Sequence, residues 1–168
     1  MAKDTKMTRD TIPEDFTLAL ALVDALPVLL FGGSTLLIGA LFSRPLFLAG
    51  ALLCFWAGAA KVLWKILVVT RKKNVWFLFL QMRIAMPAGF ALMLLSLLLN
   101  RDAVSFSVIL SALTSPPSAY LFLAGLAGMG LMGYFGAKLD ASDVRSNWIE
   151  QLTNAAAQLC IFLGLWLL

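Results

Sequence analysis

Long apolar runs, separated by short polar junctions, dominate the hydrophobic pattern of this chain. Each of the five longest runs has the roughly 20 residues that a helix needs to cross the ~30 Å hydrocarbon layer of a bilayer. The pattern therefore predicts about five transmembrane helices. These runs cover residues 16–41, 46–69, 75–99, 118–137 and 146–168.

Two further segments fall outside these runs. The apolar piece near 104–114 is too short to cross the hydrocarbon layer, so we predict an interfacial or partly re-entrant helix there. Residues 1–15 are mixed in charge and lack the apolar core of a signal peptide, which predicts a retained cytosolic tail. We therefore expect one domain, a transmembrane helical bundle over 16–168.

The composition agrees with a membrane protein. Of 168 residues, 61% are hydrophobic and 13% are charged, against about a quarter charged in a typical soluble domain. The mean hydropathy is +0.92. So much apolar surface needs a bilayer as its solvent, which predicts an all-α integral membrane protein. The chain has no histidine, and its two cysteines, Cys54 and Cys160, lie inside apolar runs, so we expect no metal and no cofactor.

Lysine and arginine residues predict the orientation of the bundle. Two of them lie on one side, Arg44 and Arg101, while Arg83 lies within a run. By the positive-inside rule the N-terminus is cytoplasmic and the C-terminus extracytoplasmic, in a multi-pass protein of the plasma or inner membrane. The net charge of +4 then faces anionic lipid, and we expect no nucleic-acid partner. The other ten basic residues share the opposite side: Lys3, Lys6, Arg9, Lys61, Lys65, Arg71, Lys72, Lys73, Lys138 and Arg145.

Polar residues within the runs converge on one depth. Counted from the cytoplasmic ends of four different runs, Asp24, Lys61, Arg83 and Asn154 each lie roughly 12 Å inside the hydrocarbon layer at 1.5 Å per residue. An ionisable residue at mid-membrane costs about 2.5–3.5 kcal/mol on insertion scales, so a shared interior is the cheapest solution. Lys65, nearer the cytoplasmic boundary, is expected to snorkel outward.

Helical spacing supports the same interior. Asn147, Gln151 and Asn154 recur at intervals of four and three residues and form one face of the last run, with Glu150 at its edge. In the second run a track of small residues ends in two lysines, which predicts close packing of that face. The members of this track are Gly50, Cys54, Ala57, Gly58, Lys61 and Lys65.

Two prolines lie next to this level. Pro27 and Pro87 each remove one helical hydrogen bond and free the carbonyl four residues earlier, at Val23 and Arg83. A freed carbonyl within a membrane must find a partner or line a wet cavity. We therefore expect kinked helices around a polar pocket that is open to the cytoplasm.

These residues favour a carrier or ligand-binding protein for a small anionic molecule or lipid head group. Lys61 and Arg83 would bind the anion, the amides would donate and accept hydrogen bonds, and the two carboxylates would orient the cations or carry a proton. Structural salt bridges and amide contacts between helices are the alternative interpretation of the same groups. The candidate ligand-binding residues are Asp24, Lys61, Arg83, Asn147, Glu150, Gln151 and Asn154.

Two other functions stay open at this stage. An adaptor or regulatory subunit of a larger membrane complex would use its polar face and the glycine-rich run 118–137 to bind a partner membrane protein. For the carrier, five spans are few for alternating access, which favours a homo-oligomer. An intramembrane enzyme acting on lipids could use Asp24 or Glu150 as a general base. The chain offers no Ser–His or Cys–His nucleophile set to support the enzyme, because it contains no histidine.

Overall fold

The computed structural model describes residues 17–103, 110–111, 113–139 and 143–168, which are helical apart from short connections. No β-strand occurs in those ranges, which confirms the prediction of an all-α protein for this part of the chain. The predicted tail, 1–15, lies outside the described residues. So does most of the predicted short helix near 104–114, of which 110–111 and 113–114 are described as helical.

The helices follow the apolar runs closely. A short turn joins α1 to α2, and the single residue Gln81 separates α3 from α4. A 3₁₀ turn, Arg101–Ala103, follows α4. The α-helices are α1 (Leu18–Leu41), α2 (Pro45–Arg71), α3 (Trp76–Leu80), α4 (Met82–Leu99), α5 (Ser118–Lys138) and α6 (Val144–Trp166).

Local chemistry explains where the first helices begin and end. The Thr17 hydroxyl accepts a hydrogen bond from the Leu20 amide at 3.2 Å and caps α1. Pro45 occupies the first position of α2, where its missing N–H removes no helical bond. Lys72 ends α2 with a left-handed backbone, φ 50° and ψ 32°, and its amide donates back to the Val68 carbonyl at 3.1 Å.

Among the described residues, four helical segments are long and apolar enough to cross a membrane: Leu18–Ala40, Pro45–Arg71, Trp76–Leu99 and Ser118–Phe135. They support four of the five predicted spans. The predicted fifth span forms α6, which has 23 residues. Because its first half is polar, α6 is less apolar than the four segments above. Its crossing of the bilayer stays a prediction.

The helices pack in a row whose spatial order differs from the chain order. α2 packs against both α1 and α4, α1 packs against α6, and α6 packs against α5. Long apolar side chains cover the outer faces, and Leu36 and Ile84 are 73% and 78% exposed. A surface with so many exposed apolar side chains is suited to the interior of a bilayer and not to water.

The closest approach of two helices occurs between α2 and α4. A β-carbon added at Gly50 would lie 2.5 Å from the Gly89 carbonyl oxygen, and one added at Gly89 would lie 2.5 Å from the Cys54 sulfur. Only glycine at both positions lets the backbones come this near. The predicted small-residue face of α2 therefore packs inward, as its burial confirms, with Lys61 as its one half-buried member.

Candidate functional site

A buried ion pair joins α1 to α2. Asp24 Oδ2 lies 2.8 Å from Lys65 Nζ, and the two side chains are 8% and 4% exposed. Asp24 is six residues after the start of α1 and Lys65 is six before the end of α2. Because the two helices are antiparallel, both residues lie about 9 Å from the same end of the bundle at 1.5 Å per residue. The pair thus lies within the membrane-spanning segments.

The position of Lys65 corrects a prediction. We expected Lys65 to snorkel toward the cytoplasm, but its side chain is buried and faces Asp24. The Cα–Cβ bonds of a helix tilt toward its N-terminus, which for α2 is the end away from the nearer boundary. The side chain of Lys65 therefore starts toward the bilayer centre, where the carboxylate on α1 offsets the cost of removing its charge from water.

Two of the predicted residues interact electrostatically with Lys65. The charge of Lys65 is repelled by Lys61, one turn deeper on the same face of α2, and attracted by Glu150 on α6. Lys61 and Glu150 are both half-buried. We call Asp24, Lys61, Lys65 and Glu150 the charge cluster. Its two acids and two bases sum to a formal charge of zero, and they come from three helices.

Amide side chains of α6 lie at a similar level. Gln151 is seven residues into α6, about 10 Å from its start, and it is buried. Its Oε1 atom is fully buried and finds no hydrogen-bond partner among the residues that the structure describes. Asn147 is also buried, and its Nδ2 donates to the Asp143 carbonyl at 3.0 Å, so part of its hydrogen bonding is used within the first turn. Asn154, one turn deeper, is half-buried.

The first turn of α6 is fixed by Asp143. Its Oδ2 accepts hydrogen bonds from the Ser146 amide at 2.8 Å and from the Ser146 hydroxyl at 2.7 Å. These two bonds hold the pKa of Asp143 below its ordinary value, with the hydroxyl bond contributing most. This N-cap fixes the start of α6, and with it the depth of Asn147 and Gln151.

The structure does not bring Arg83 to the charge cluster. Arg83 is exposed, and its guanidinium carbon lies 5.5 Å from the centre of the Phe79 ring, one turn earlier in the chain. Of the seven predicted residues, three belong to the charge cluster, namely Asp24, Lys61 and Glu150. Asn147, Gln151 and Asn154 lie on α6 beside it, and Arg83 lies elsewhere.

Sequence reasoning missed a polar link at the break between α3 and α4. Gln81 Nε2 donates to the Ala57 carbonyl on α2 at 3.0 Å and to the Leu78 carbonyl at 3.1 Å. In an uninterrupted helix the Leu78 carbonyl would accept from the backbone amide of Met82. The side-chain bond competes for that acceptor, which accounts for the interruption at Gln81. No spacing pattern marks such a single glutamine in advance.

An apolar groove of about 540 Å³ runs between α1 and α6. On α1 its lining residues lie roughly 190° around the helix from Asp24, at 100° per residue. The groove therefore faces away from the charge cluster and offers hydrocarbon contacts to the bilayer. Its lining includes Leu26, Leu29, Gly33, Leu152, Leu159 and Phe162.

Comparison of this chain with protein-family models, with curated proteins and with solved structures found no match.

Proposed function

We propose that this protein is a membrane carrier or ligand-binding protein for a small anionic molecule, which binds at the charge cluster. The observation that carries the proposal is the Asp24–Lys65 pair, buried between two membrane-spanning helices. The proposed orientation has the N-terminus in the cytoplasm, as the distribution of basic residues predicts. The cluster then lies in the cytoplasmic half of the plasma or inner membrane.

Stability alone is a poor reason for such a pair. Replacing a buried ion pair with packed apolar residues is often neutral or stabilising, because the attraction hardly exceeds the cost of desolvating two charges. Ionisable residues inside a membrane are costly, and they commonly mark ion, proton or substrate pathways. The charge cluster contains four such groups within about one helical turn of depth, which favours a binding site over a structural contact.

The arrangement of cations favours an anionic ligand. Lys61 and Lys65 lie one turn apart on the same face of α2, and they repel each other. Within the described ranges, no carboxylate lies within ion-pair distance of Lys61. An anion at Lys61 would supply that missing charge. Because the cluster is formally neutral, uptake of one proton with a monoanion would keep it neutral, with Asp24 or Glu150 as the proton acceptor.

Gln151 adds a requirement for the ligand. A buried acceptor without a hydrogen bond costs about 1–3 kcal/mol. A ligand with an N–H or O–H group, or a water that accompanies it, would satisfy Gln151 Oε1. The ligand class we propose is therefore a small organic anion that also carries a hydrogen-bond donor.

A thermal-unfolding screen of the detergent-solubilised full chain tests this function. The ligands would be small carboxylates and phosphate esters, with and without hydroxyl or amino groups. A true ligand at 100 times its Kd stabilises the protein by about 2.7 kcal/mol. Lys61→Gln should abolish the shift, whereas Lys138→Gln, which changes an exposed lysine at the end of α5, should retain it. Equal shifts in both variants would refute binding at the charge cluster.

One observation favours a second candidate, an adaptor or regulatory subunit. β-carbons added at Gly130 and Gly133 of α5 would meet no atom of another described helix within 4 Å, and the neighbouring Leu126 and Tyr134 are exposed. Small residues on an open helix face permit close packing of another membrane helix. Under this function Gly133→Leu would remove a partner that co-purifies with the wild type from its native membrane, and no small anion would shift the unfolding temperature.

A further inference from the structure

Arg83 is a charged side chain on the outer surface of a membrane-spanning segment. It lies seven residues into the apolar stretch Trp76–Leu99, about 10 Å from its start. The side chain is exposed, and in the described part of the chain no carboxylate lies within ion-pair distance of it. A guanidinium at this depth needs an anionic partner or water, because hydrocarbon solvates it poorly.

An aromatic stack fixes the direction of the Arg83 side chain. The guanidinium lies 5.5 Å from the Phe79 ring centre, which is a cation–π distance. The Phe79 ring in turn lies 5.0 Å from the Trp64 ring and 4.9 Å from the Trp76 ring. Since Phe79 is one turn nearer the start of the segment, Arg83 extends toward the membrane boundary and not toward the bilayer centre.

The same stack connects Arg83 with the basic loop between α2 and α3. Trp64 Nε1 donates to Asn74 Oδ1 at 2.9 Å, and Asn74 directly follows Lys73 in the chain. This bond ties the loop to the ring on which Phe79 packs. Three exposed cations, Arg71, Lys72 and Lys73, therefore lie at the membrane boundary toward which Arg83 extends.

We propose that Arg83 and this loop form a binding site for the head group of an anionic phospholipid in the adjacent leaflet. A guanidinium presents N–H groups in a fork that matches phosphate oxygens, and lysines at the boundary add attraction for anionic lipid. Phe77 and Ile84, 74% and 78% exposed, flank Arg83 and offer apolar surface to the acyl chains. The site is separate from the charge cluster and does not depend on the proposed function.

Native mass spectrometry of the detergent-solubilised full chain tests the site. The probes are phosphatidylglycerol, which is anionic, and phosphatidylcholine, which is zwitterionic, with the same acyl chains. We expect the wild type to prefer phosphatidylglycerol, and Arg83→Gln to weaken its binding about five-fold, the effect of one basic residue near an anionic surface. Arg101→Gln, which changes an exposed arginine of the 3₁₀ turn, should leave the binding unchanged.

Two more arms make the outcome decisive. A Lys72→Gln/Lys73→Gln variant leaves the aromatic stack intact and should also weaken phosphatidylglycerol binding. Inorganic phosphate at the same concentration should not displace the lipid, because it lacks the acyl chains that contact Phe77 and Ile84. Equal binding of the two lipids, or equal losses in Arg83→Gln and Arg101→Gln, would overturn the site.

Discussion

Asp24 and Lys65 pair across the α1–α2 interface, with 2.8 Å between Oδ2 and Nζ and both side chains almost fully buried. Asp24 lies six residues after the start of α1 and Lys65 six residues before the end of α2, on the same side of the bundle. Sliding one helix by a single turn, about 5.4 Å, would separate Asp24 from Lys65. The pair therefore links the register of two helices to the chemistry of the charge cluster.

Breaking the pair on one side should destabilise the protein strongly. Lys65→Met leaves Asp24 buried without its cation, and we expect a loss of about 3–5 kcal/mol in the free energy of unfolding. Denaturant-induced unfolding in mixed micelles measures this loss. Lys138→Met is the matched control, because Lys138 is exposed at the end of α5 and should change stability little.

The double variant Asp24→Leu/Lys65→Met separates pairing from burial. With no charge left at the position, we expect it to recover most of the stability that Lys65→Met loses. A double variant as unstable as the sum of the two single changes would show that the charges do not act as a pair.

Lys65 and Arg83 show what the sequence could predict about the site. Counting residues from the ends of the runs predicted that Asp24, Lys61, Arg83 and Asn154 share a level, whereas the base that pairs with Asp24 is Lys65, which the same count placed nearer the boundary. Periodicity could not choose between Lys61 and Lys65 as the partner of Asp24, because residues four apart share a helix face. Which lysine pairs with Asp24 depends on how α1 packs against α2, and a single sequence does not contain that packing.

The direction of each helix is a sequence signal that distinguishes Lys65 from Arg83. Side chains tilt toward the N-terminus of their helix. The N-terminus of α2 lies at the membrane boundary farther from Lys65, whereas the N-terminus of the segment Trp76–Leu99 lies at the boundary nearer to Arg83. Lys65 therefore turns inward to Asp24, while Arg83 extends toward the boundary and contacts Phe79. The snorkelling that we predicted for Lys65 suits Arg83 for this reason.

Gln81→Leu should loosen the contact between α2 and the α3–α4 break. The substitution removes the donor that bridges the Ala57 and Leu78 carbonyls, at a cost of about 0.5–1.5 kcal/mol. Thermal or denaturant unfolding gives the magnitude. Gln158→Leu is the control, since the polar contact of Gln158 Nε2 with the described residues is a weak one to the Met129 sulfur at 3.7 Å, and we expect a smaller loss. Equal losses would mean that the Gln81 bridge adds nothing.

Gly89→Val should separate α2 from α4. A side chain at Gly89 meets the Cys54 sulfur and the Gly50 carbonyl oxygen, and the second of these is backbone that cannot rotate away. Overpacking of this kind costs about 1–3 kcal/mol. Gly133→Val places the same side chain in α5, where no other helix in the described part of the chain comes within 4 Å of the added β-carbon. The helix-propensity cost is therefore matched without the clash. Unfolding in micelles should show Gly89→Val as the weaker protein.

The cap of α6 should make stability depend on pH. The pKa of Asp143 is lower in the folded protein than in the unfolded chain, so the carboxylate stabilises the fold above its unfolded pKa. That stabilisation is lost as the pH falls through the folded pKa, below the ordinary value of 3.8. Asp143→Asn has no charge to lose, so its stability relative to the wild type should improve as the pH falls. Thermal unfolding across this pH range measures the difference.

The hydroxyl of Ser146 is the main cause of the lowered pKa of Asp143, and substitution at Ser146 tests that cause directly. Ser146→Ala removes the 2.7 Å hydrogen bond and keeps the 2.8 Å bond from the backbone amide. The pKa of Asp143 should therefore rise toward its ordinary value without reaching it. Ser146→Thr retains a hydroxyl and should keep the pKa low. Carboxyl chemical shifts of Asp143 followed by NMR report each pKa, and identical pKa values in the alanine and threonine variants would assign the shift to the backbone amide.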